Sequence, residues 1–382
     1  MTAGPASAAT CPNCGRPVSP RDNFCEACRT ELAPAVVSGQ DPAQASACPV
    51  CGASPITPDG YCEACGRRVP ASRDHTEIDL GLLAGVTDRG LRHHRNEDAM
   101  ALATAESDHG PVGLAVVCDG VSSSQRPDEA SLAASQAAVR VLLAGVRTGA
   151  DLTETSRAAI AAAQDALAHL SERSSAPGGY KGVVPPRAGG KTESPAGLDP
   201  PSATFVSAVM TSEVVTLCWL GDSRAYWLGA GQGAAAQRLT RDDSVAEEMV
   251  AAGLLSEADA LATPQAHVVT GWVGADSAGG AEPHVTRFEP PGPGVLMLCS
   301  DGLWNYQPEA AELAALALPL ALTDPLGAAA ALVQFALEAG GMDNITVVLS
   351  PFPPRARSPL TGEPTVPAVS PDPEEKPADE PA

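Results

Sequence analysis

Aromatic side chains are scarce in this sequence: Phe, Trp and Tyr make up 3% of its 382 residues. A core built from it must rest on Ala, Val and Leu, within an ordinary apolar content of 44%. Basic residues are also short, 24 Lys and Arg against 46 Asp and Glu, for a formal charge of −22. That balance argues against partners such as nucleic acid and anionic membrane surfaces, both of which reward positive charge. No window offers the roughly 20 uninterrupted apolar residues of a spanning helix. The best candidate, Leu313 to Leu337, is Ala-rich and broken by Pro319, Asp324 and Pro325. No basic segment followed by an apolar one opens the N-terminus, so no secretory signal is visible and a cytoplasmic protein is expected. A serine-hydrolase elbow is missing, which removes one familiar kind of protein nucleophile.

Cysteine, by contrast, is concentrated. Eight of the eleven lie in the first 65 residues, as Cys11-x₂-Cys14, Cys25-x₂-Cys28, Cys48-x₂-Cys51 and Cys62-x₂-Cys65. Ten residues separate the pairs within each set, and the second set repeats the first 37 residues later, so the segment is an internal duplication. The knuckles Cys11-Pro12-Asn13-Cys14-Gly15 and Cys48-Pro49-Val50-Cys51-Gly52 carry turn residues that let two thiolates face one ion. Four thiolates per ion is the structural zinc arrangement, so two zinc ribbons and two Zn²⁺ are expected over residues 1–70. Each ribbon is too small for a core, and metal binding would supply its folding energy. A disulfide framework suits neither the repeated CxxC nor the missing export signal. Charges between Cys11 and Cys65 are close to balanced, with no basic stripe, so the ribbons read as a docking or spacing module for a protein partner. Cys118, Cys218 and Cys299 sit in apolar runs and read as small buried strand residues.

Four acidic turns are spread over the rest of the chain: Arg95-Asn96-Glu97-Asp98, Cys118-Asp119-Gly120, Cys299-Ser300-Asp301-Gly302 and Gly341-Met342-Asp343-Asn344. Asp119 and Asp301 end apolar runs and are followed at once by Gly, the pattern of a buried strand that stops and turns. Any one Asp-Gly pair suffices as a plain turn. Carboxylates at the ends of buried strands, without Lys or Arg beside them, are costly unless something cationic gathers them. Hard divalent cations such as Mg²⁺ or Mn²⁺ suit such oxygen-rich sites.

Residues 71–80 read as a polar linker. From Gly81 to about Ser350, β-like runs alternate with Ala-rich helical stretches, among them Glu129 to Arg147 and Leu152 to Glu172, with Asp151 as N-cap of the second. Residues 174–201, rich in Gly, Pro, Ser and Lys, read as a flexible insertion inside this domain, and a helical pair is expected around Val245 to Leu261. Residues 352–382, rich in Pro and acidic residues, read as a disordered tail.

Six segments in order resemble the metal-dependent (type-2C, PPM) protein phosphatase family. They are Thr87-Asp88-Arg89-Gly90 leading to Asn96-Glu97-Asp98, Asp119-Gly120, Gly221-Asp222-Ser223-Arg224-Ala225-Tyr226, Leu239-Thr240-Arg241-Asp242-Asp243-Ser244, Ser300-Asp301-Gly302-Leu303-Trp304, and Gly341-Met342-Asp343-Asn344-Ile345-Thr346. The ribbons resemble the double zinc-ribbon modules found beside many regulatory domains. The phosphatase resemblance implies an α+β fold: an α-β-β-α sandwich of two antiparallel sheets flanked by helices, over residues 81–351. It implies two Mn²⁺ or Mg²⁺ ions, with Asp119 bridging both, Asp301 and Asp343 on one, and Glu97 with the Gly120 carbonyl on the other. Asp98 would stand behind these ligands and Asn344 would orient its loop. Hydroxide formed between the two ions would attack phosphorus in line, hydrolysing phosphoserine and phosphothreonine on proteins. The implied partners are phosphoprotein targets of a Ser/Thr protein kinase.

Four departures from the family pattern stand out. The position of the usual phosphate-binding Arg is His93, flanked by Arg92 and Arg95; Arg92 is the expected phosphate ligand, since Arg binds oxyanions in two-pronged fashion. Val121 replaces a His proposed elsewhere as general acid, leaving solvent, His93 or His94 to protonate the leaving group. Asn305 is a poor anionic ligand for a third ion, for which Asp222 remains. Asp243 replaces a His. The first three motivate an alternative: a catalytically weak or inactive scaffold that binds phosphoproteins under control of the ribbons.

Overall fold

The computed structural model describes residues 72–107, 109–175, 199–231, 234–256, 259–260, 263, 268–274 and 282–354, with 9–10, 16–18, 36–38, 51, 57, 62–67 and 69 of the N-terminal region. Cys11, Cys14, Cys25, Cys28 and Cys48 lie outside these residues, as do most of the 174–201 insertion and the tail from 355 onward.

Sixteen strands are described: β1 (Ala9–Thr10), β2 (Pro17–Val18), β3 (Val36–Ser38), β4 (His75–Asp79), β5 (Ala84–Asp88), β6 (Asp98–Ser107), β7 (Gly110–Asp119), β8 (Ser202–Ala203), β9 (Phe205–Met210), β10 (Val215–Leu220), β11 (Arg224–Gly229), β12 (Ala236–Arg238), β13 (Val273–Gly274), β14 (His284–Phe288), β15 (Gly294–Cys299) and β16 (Ile345–Phe352). Most belong to two antiparallel six-stranded sheets, in the orders β14-β10-β9-β7-β6-β3 and β12-β11-β15-β16-β5-β4.

Between the two sheets lies a layer containing Met100, Leu102, Val117, Val206, Leu217, Trp227, Leu298 and Val348. The helices Pro127–Thr148 and Leu152–Ser175 cover the outer face of the first sheet, burying Ala134, Ala138, Leu142, Ile160 and Leu167. The helices Ala310–Ala321 and Pro325–Ala339 cover the outer face of the second. The result is the expected α-β-β-α sandwich, with strands such as β9, β10, β11 and β15 buried along their whole length between layers. Such strands read as continuous apolar runs because both of their faces are covered. Ala, Val and Leu dominate the helix–sheet layers, as the scarcity of aromatics requires; Trp227, the largest fully buried side chain among the described residues, packs against Phe288 and Phe352.

Local signals behave as their chemistry dictates. Asp151 Oδ1 accepts from the backbone N–H groups of Thr153 (2.9 Å) and Glu154 (3.0 Å), capping the second helix. Asp324 caps the helix starting at Pro325. Pro319, which interrupts the apolar run, lies inside Ala310–Ala321 near its C-terminal end, and the carbonyl it leaves without a helical donor is that of Ala315. Cys118, Cys218 and Cys299 are buried in β7, β10 and β15.

Two features were not legible as elements. Residues 71–80, read as a linker, contain β4, which pairs with β5 from His75↔Asp88 to Asp79↔Ala84 and forms the edge of the second sheet. β3, from the connector between the two cysteine sets, pairs antiparallel with β6 through Val36↔Ala103 and Ser38↔Ala101.

In the second ribbon, Cys51, Cys62 and Cys65 bring their sulfur atoms within 4.8 Å of one another. Cys51 Sγ and Cys62 Sγ are 3.6 Å apart, close to the spacing of about 3.8 Å for two thiolates at 2.3 Å from a tetrahedral ion. The turn that aims them is closed by Gly66 N–H to the Cys62 carbonyl (2.8 Å) and Cys62 N–H to the Arg67 carbonyl (2.8 Å).

Candidate metal centre

The acidic turns converge because their strands end together. β6 begins at Asp98 and β7 ends at Asp119, and these two residues are direct cross-strand partners. β15 ends at Cys299, opposite Val347 of β16, so Asp301 and Asp343 emerge side by side in the second sheet. Asp222 lies just before β11, which pairs with β15 through Arg224↔Cys299. Asp119, Asp222, Asp301 and Asp343 line one groove of about 470 Å³, with Ser122, Ser124, Val268 and Trp272 among its walls.

Electrostatics inside this groove are adverse. Burial pushes the Asp119 and Asp301 carboxyls well above their ordinary range, and neighbouring carboxylates push them further. Burial likewise raises Asp98 to about 7, against the hydrogen bonds that its Oδ2 accepts from Ser300 Oγ (2.7 Å) and Thr346 Oγ1 (2.8 Å). Asp222 is raised to about 7, by burial first and by Asp242 second. Four carboxyls raised in this way and held near one another, Asp98 and Asp222 among the buried residues, signal a functional site more than a structural one.

The surrounding side chains hold the acids in place. The Glu97 carboxylate accepts from Arg95 Nε (2.9 Å) and from the Ser122 hydroxyl. Asn344, as anticipated, organises its loop: Oδ1 accepts from Glu97 N–H (2.7 Å) while Nδ2 donates to the carbonyls of Arg89 (2.7 Å) and Arg95 (3.1 Å). Trp304 Nε1 donates to the Asp222 carbonyl (2.9 Å), and Arg224 stacks over the Trp304 ring at 3.7 Å. Arg224, itself buried, is paired with buried Asp242 at 2.6 Å. Ser300, Thr346 and Asp242 lie in the segments that carried the resemblance, but their pairing with Asp98 and Arg224 was not legible from it, and Ser122 carried no signal at all.

His93 Nε2 lies 3.2 Å from Asp343 Oδ1. Arg92 is exposed on the same loop, and Arg95 is engaged with Glu97 (2.9 Å) and Asp128 (3.8 Å). Asn305 Nδ2 donates to Asp301 Oδ2 (3.1 Å). Asp243 accepts from Gly221 N–H (2.9 Å) and pairs with His284 (2.8 Å), bracing the turn that carries Asp222.

A family profile for Protein phosphatase 2C matches residues 90–334, more than half of the chain. The chain belongs to the protein phosphatase 2C family. A second profile, for the double zinc ribbon, matches residues 11–66 of this phosphatase. It is 30% identical over 263 residues to the serine/threonine phosphatase Stp of Listeria welshimeri, covering 69% of this chain and 92% of that one. Against Stp of Listeria innocua the identity is 32% over 157 residues, 41% of this chain and 59% of the relative. The serine/threonine protein phosphatase PstP of Mycobacterium tuberculosis is 26% identical over 269 residues, 70% of this chain and 44% of PstP. The crystal structure of the M. tuberculosis phosphatase superposes with a TM-score of 0.53 at 25% identity, over 71% of this chain and 97% of that one. A catalytic-domain structure of PstP in complex with two manganese ions gives a TM-score of 0.51 at 23% identity, over 71% and 97%.

The residues of this phosphatase fit divalent cations. Asp301 Oδ1 is buried without a hydrogen-bond partner among the described residues, a state that a cation would relieve. A side chain at position 120 would put its Cβ 2.3 Å from the Pro127 carbonyl oxygen, so only Gly lets the chain pass there directly after Asp119. Relatives named as serine/threonine phosphatases and the matching catalytic domain make this phosphatase a protein serine/threonine phosphatase.

Proposed function

We propose that this phosphatase hydrolyses phosphoserine and phosphothreonine on proteins, using two Mn²⁺ or Mg²⁺ ions held by Glu97, Asp119, the Gly120 carbonyl, Asp301 and Asp343. The convergence of Asp119, Asp222, Asp301 and Asp343 on one groove carries this reading. When bound, the ions supply a nucleophile from water at neutral pH and neutralise the phosphate oxygens. Asp98 fixes the β6 end opposite Asp119 through Ser300 and Thr346, and Asp222 is the acid available to a third ion. Arg92, exposed on the loop that carries His93, takes the phosphate oxygens. Val121 offers no proton, so the leaving alkoxide takes one from the solvent of the open groove.

Substrates are then the products of a Ser/Thr protein kinase, and the zinc ribbons provide docking for a protein partner. The test is hydrolysis of p-nitrophenyl phosphate and a phosphothreonine peptide with Mn²⁺ titrated in, for wild type and Asp301→Asn. Mn²⁺-dependent turnover that falls at least about 100-fold in the variant is expected. Absence of turnover in folded wild-type protein would instead favour the phosphoprotein-binding scaffold, the reading motivated by His93, Val121 and Asn305.

A further inference from the structure

Resting on the two-metal reading, we infer that His93 is a direct nitrogen ligand of the cation held by Asp343, and that it biases this site toward first-row transition cations and against Mg²⁺. The inference starts from how firmly His93 is placed. Its loop is bolted onto the segment carrying Asp343: Leu91 N–H donates to the Gly341 carbonyl (2.7 Å), and Asn344 Nδ2 donates to the carbonyls of Arg89 (2.7 Å) and Arg95 (3.1 Å). The Arg89 guanidinium donates to the His93 carbonyl itself, and Arg89 N–H donates to the Asp74 carbonyl (2.7 Å). Gly90 sits at φ +71°, and a Cβ there would lie 2.0 Å from the Asp343 carbonyl oxygen, so the two segments are in backbone contact.

From that anchored loop the imidazole reaches Asp343, with Nε2 3.2 Å from Oδ1. Two donors at right angles on an octahedral ion, each 2.1 Å from it, are about 3 Å apart. The observed spacing, here a direct contact of the two side chains, is also that of neighbouring ligands on one ion. Both side chains are partly open to solvent, 28% for His93 and 41% for Asp343, which leaves an entry path for the cation.

Chemistry supplies the selectivity. Imidazole is a borderline nitrogen donor that first-row transition ions accept readily, whereas Mg²⁺ holds to oxygen ligands and keeps its waters. An otherwise all-oxygen set containing Asp119, Asp301 and Asp343 favours neither strongly. One nitrogen added at Asp343 shifts the balance.

Pulsed EPR on the full chain loaded with one equivalent of Mn²⁺ reads this directly, because a ligating imidazole nitrogen gives a ¹⁴N modulation. The modulation should be present in wild type and in His94→Ala, and lost in His93→Ala. Calorimetric titration of the same proteins should show Mn²⁺ affinity falling about tenfold or more in His93→Ala, with Mg²⁺ affinity changed much less. Wild type that binds Mn²⁺ without ¹⁴N modulation overturns the ligand role while leaving the two-metal site standing. Equal losses of Mn²⁺ and Mg²⁺ affinity in His93→Ala overturn the selectivity. Wild type that binds no Mn²⁺ overturns both the site and the inference, and that outcome is distinguishable from the other two.

Discussion

Replacing Asp98 with Asn should stabilise the metal-depleted protein at pH 8 and leave it little changed at pH 4. Asp98 is fully buried, and its carboxyl, ordinarily near 3.8, is pushed up to about 7, by burial above all. A carboxyl whose folded-state value exceeds its unfolded one binds more protons folded than unfolded. Its favourable contribution is fully present below about pH 4 and is lost as the pH rises through about 7. At about 1.4 kcal/mol for each tenfold change in proton affinity, the displacement amounts to about 4 kcal/mol at pH 8. Coupling to Asp119 and Asp343 spreads that energy over the cluster, so a gain of about 2–4 kcal/mol is expected from the single substitution. An Asn oxygen can still accept from Ser300 and Thr346, so the substitution removes charge and little else. The assay is urea unfolding followed by circular dichroism, at pH 8 and pH 4, with and without saturating Mn²⁺. Mn²⁺ should abolish or reverse the gain, because the charge that destabilises the empty site attracts the ion. An equal gain at both pH values, or no gain at pH 8, would refute the electrostatic reasoning.

Asp242→Ala leaves the buried Arg224 guanidinium without its carboxylate and should cost about 3–5 kcal/mol, seen as a melting temperature lowered by about 8 °C or more. Because Arg224 stacks on Trp304, which holds the Asp222 carbonyl, the variant should also bind Mn²⁺ more weakly in calorimetry. A catalytic fragment beginning at Ser72 should keep Mn²⁺-dependent activity, while one beginning at Gly81 should lose stability and activity together, since it lacks β4, the Arg73–Asp128 pair and the Asp74 carbonyl that receives Arg89 N–H. Equal activity in the two fragments would show that β4 is dispensable.

The amino-acid sequence by itself determined much of what this protein is. Eight cysteines at one repeated spacing mark the double zinc ribbon before any fold is known, because ligand spacing within a knuckle is a local matter. Asp119 and Asp301 were legible because a buried strand that must turn leaves an apolar run ending in Asp-Gly, and the layers of the sandwich follow from such runs alternating with Ala-rich helices. Only the tertiary structure decided the rest. β4 and β3 are short and too polar or too brief for a periodic signal; each becomes a strand because an existing sheet edge offers it backbone partners. Pro319 stays helical because packing of the helix on the second sheet outweighs the one hydrogen bond it removes. The same holds at the metal centre. Ser300 and Thr346 meet Asp98, and His93 meets Asp343, across separations of about 200 residues or more. Contacts of that length leave no trace in local pattern, since they depend on which strands end at the same edge of the two sheets.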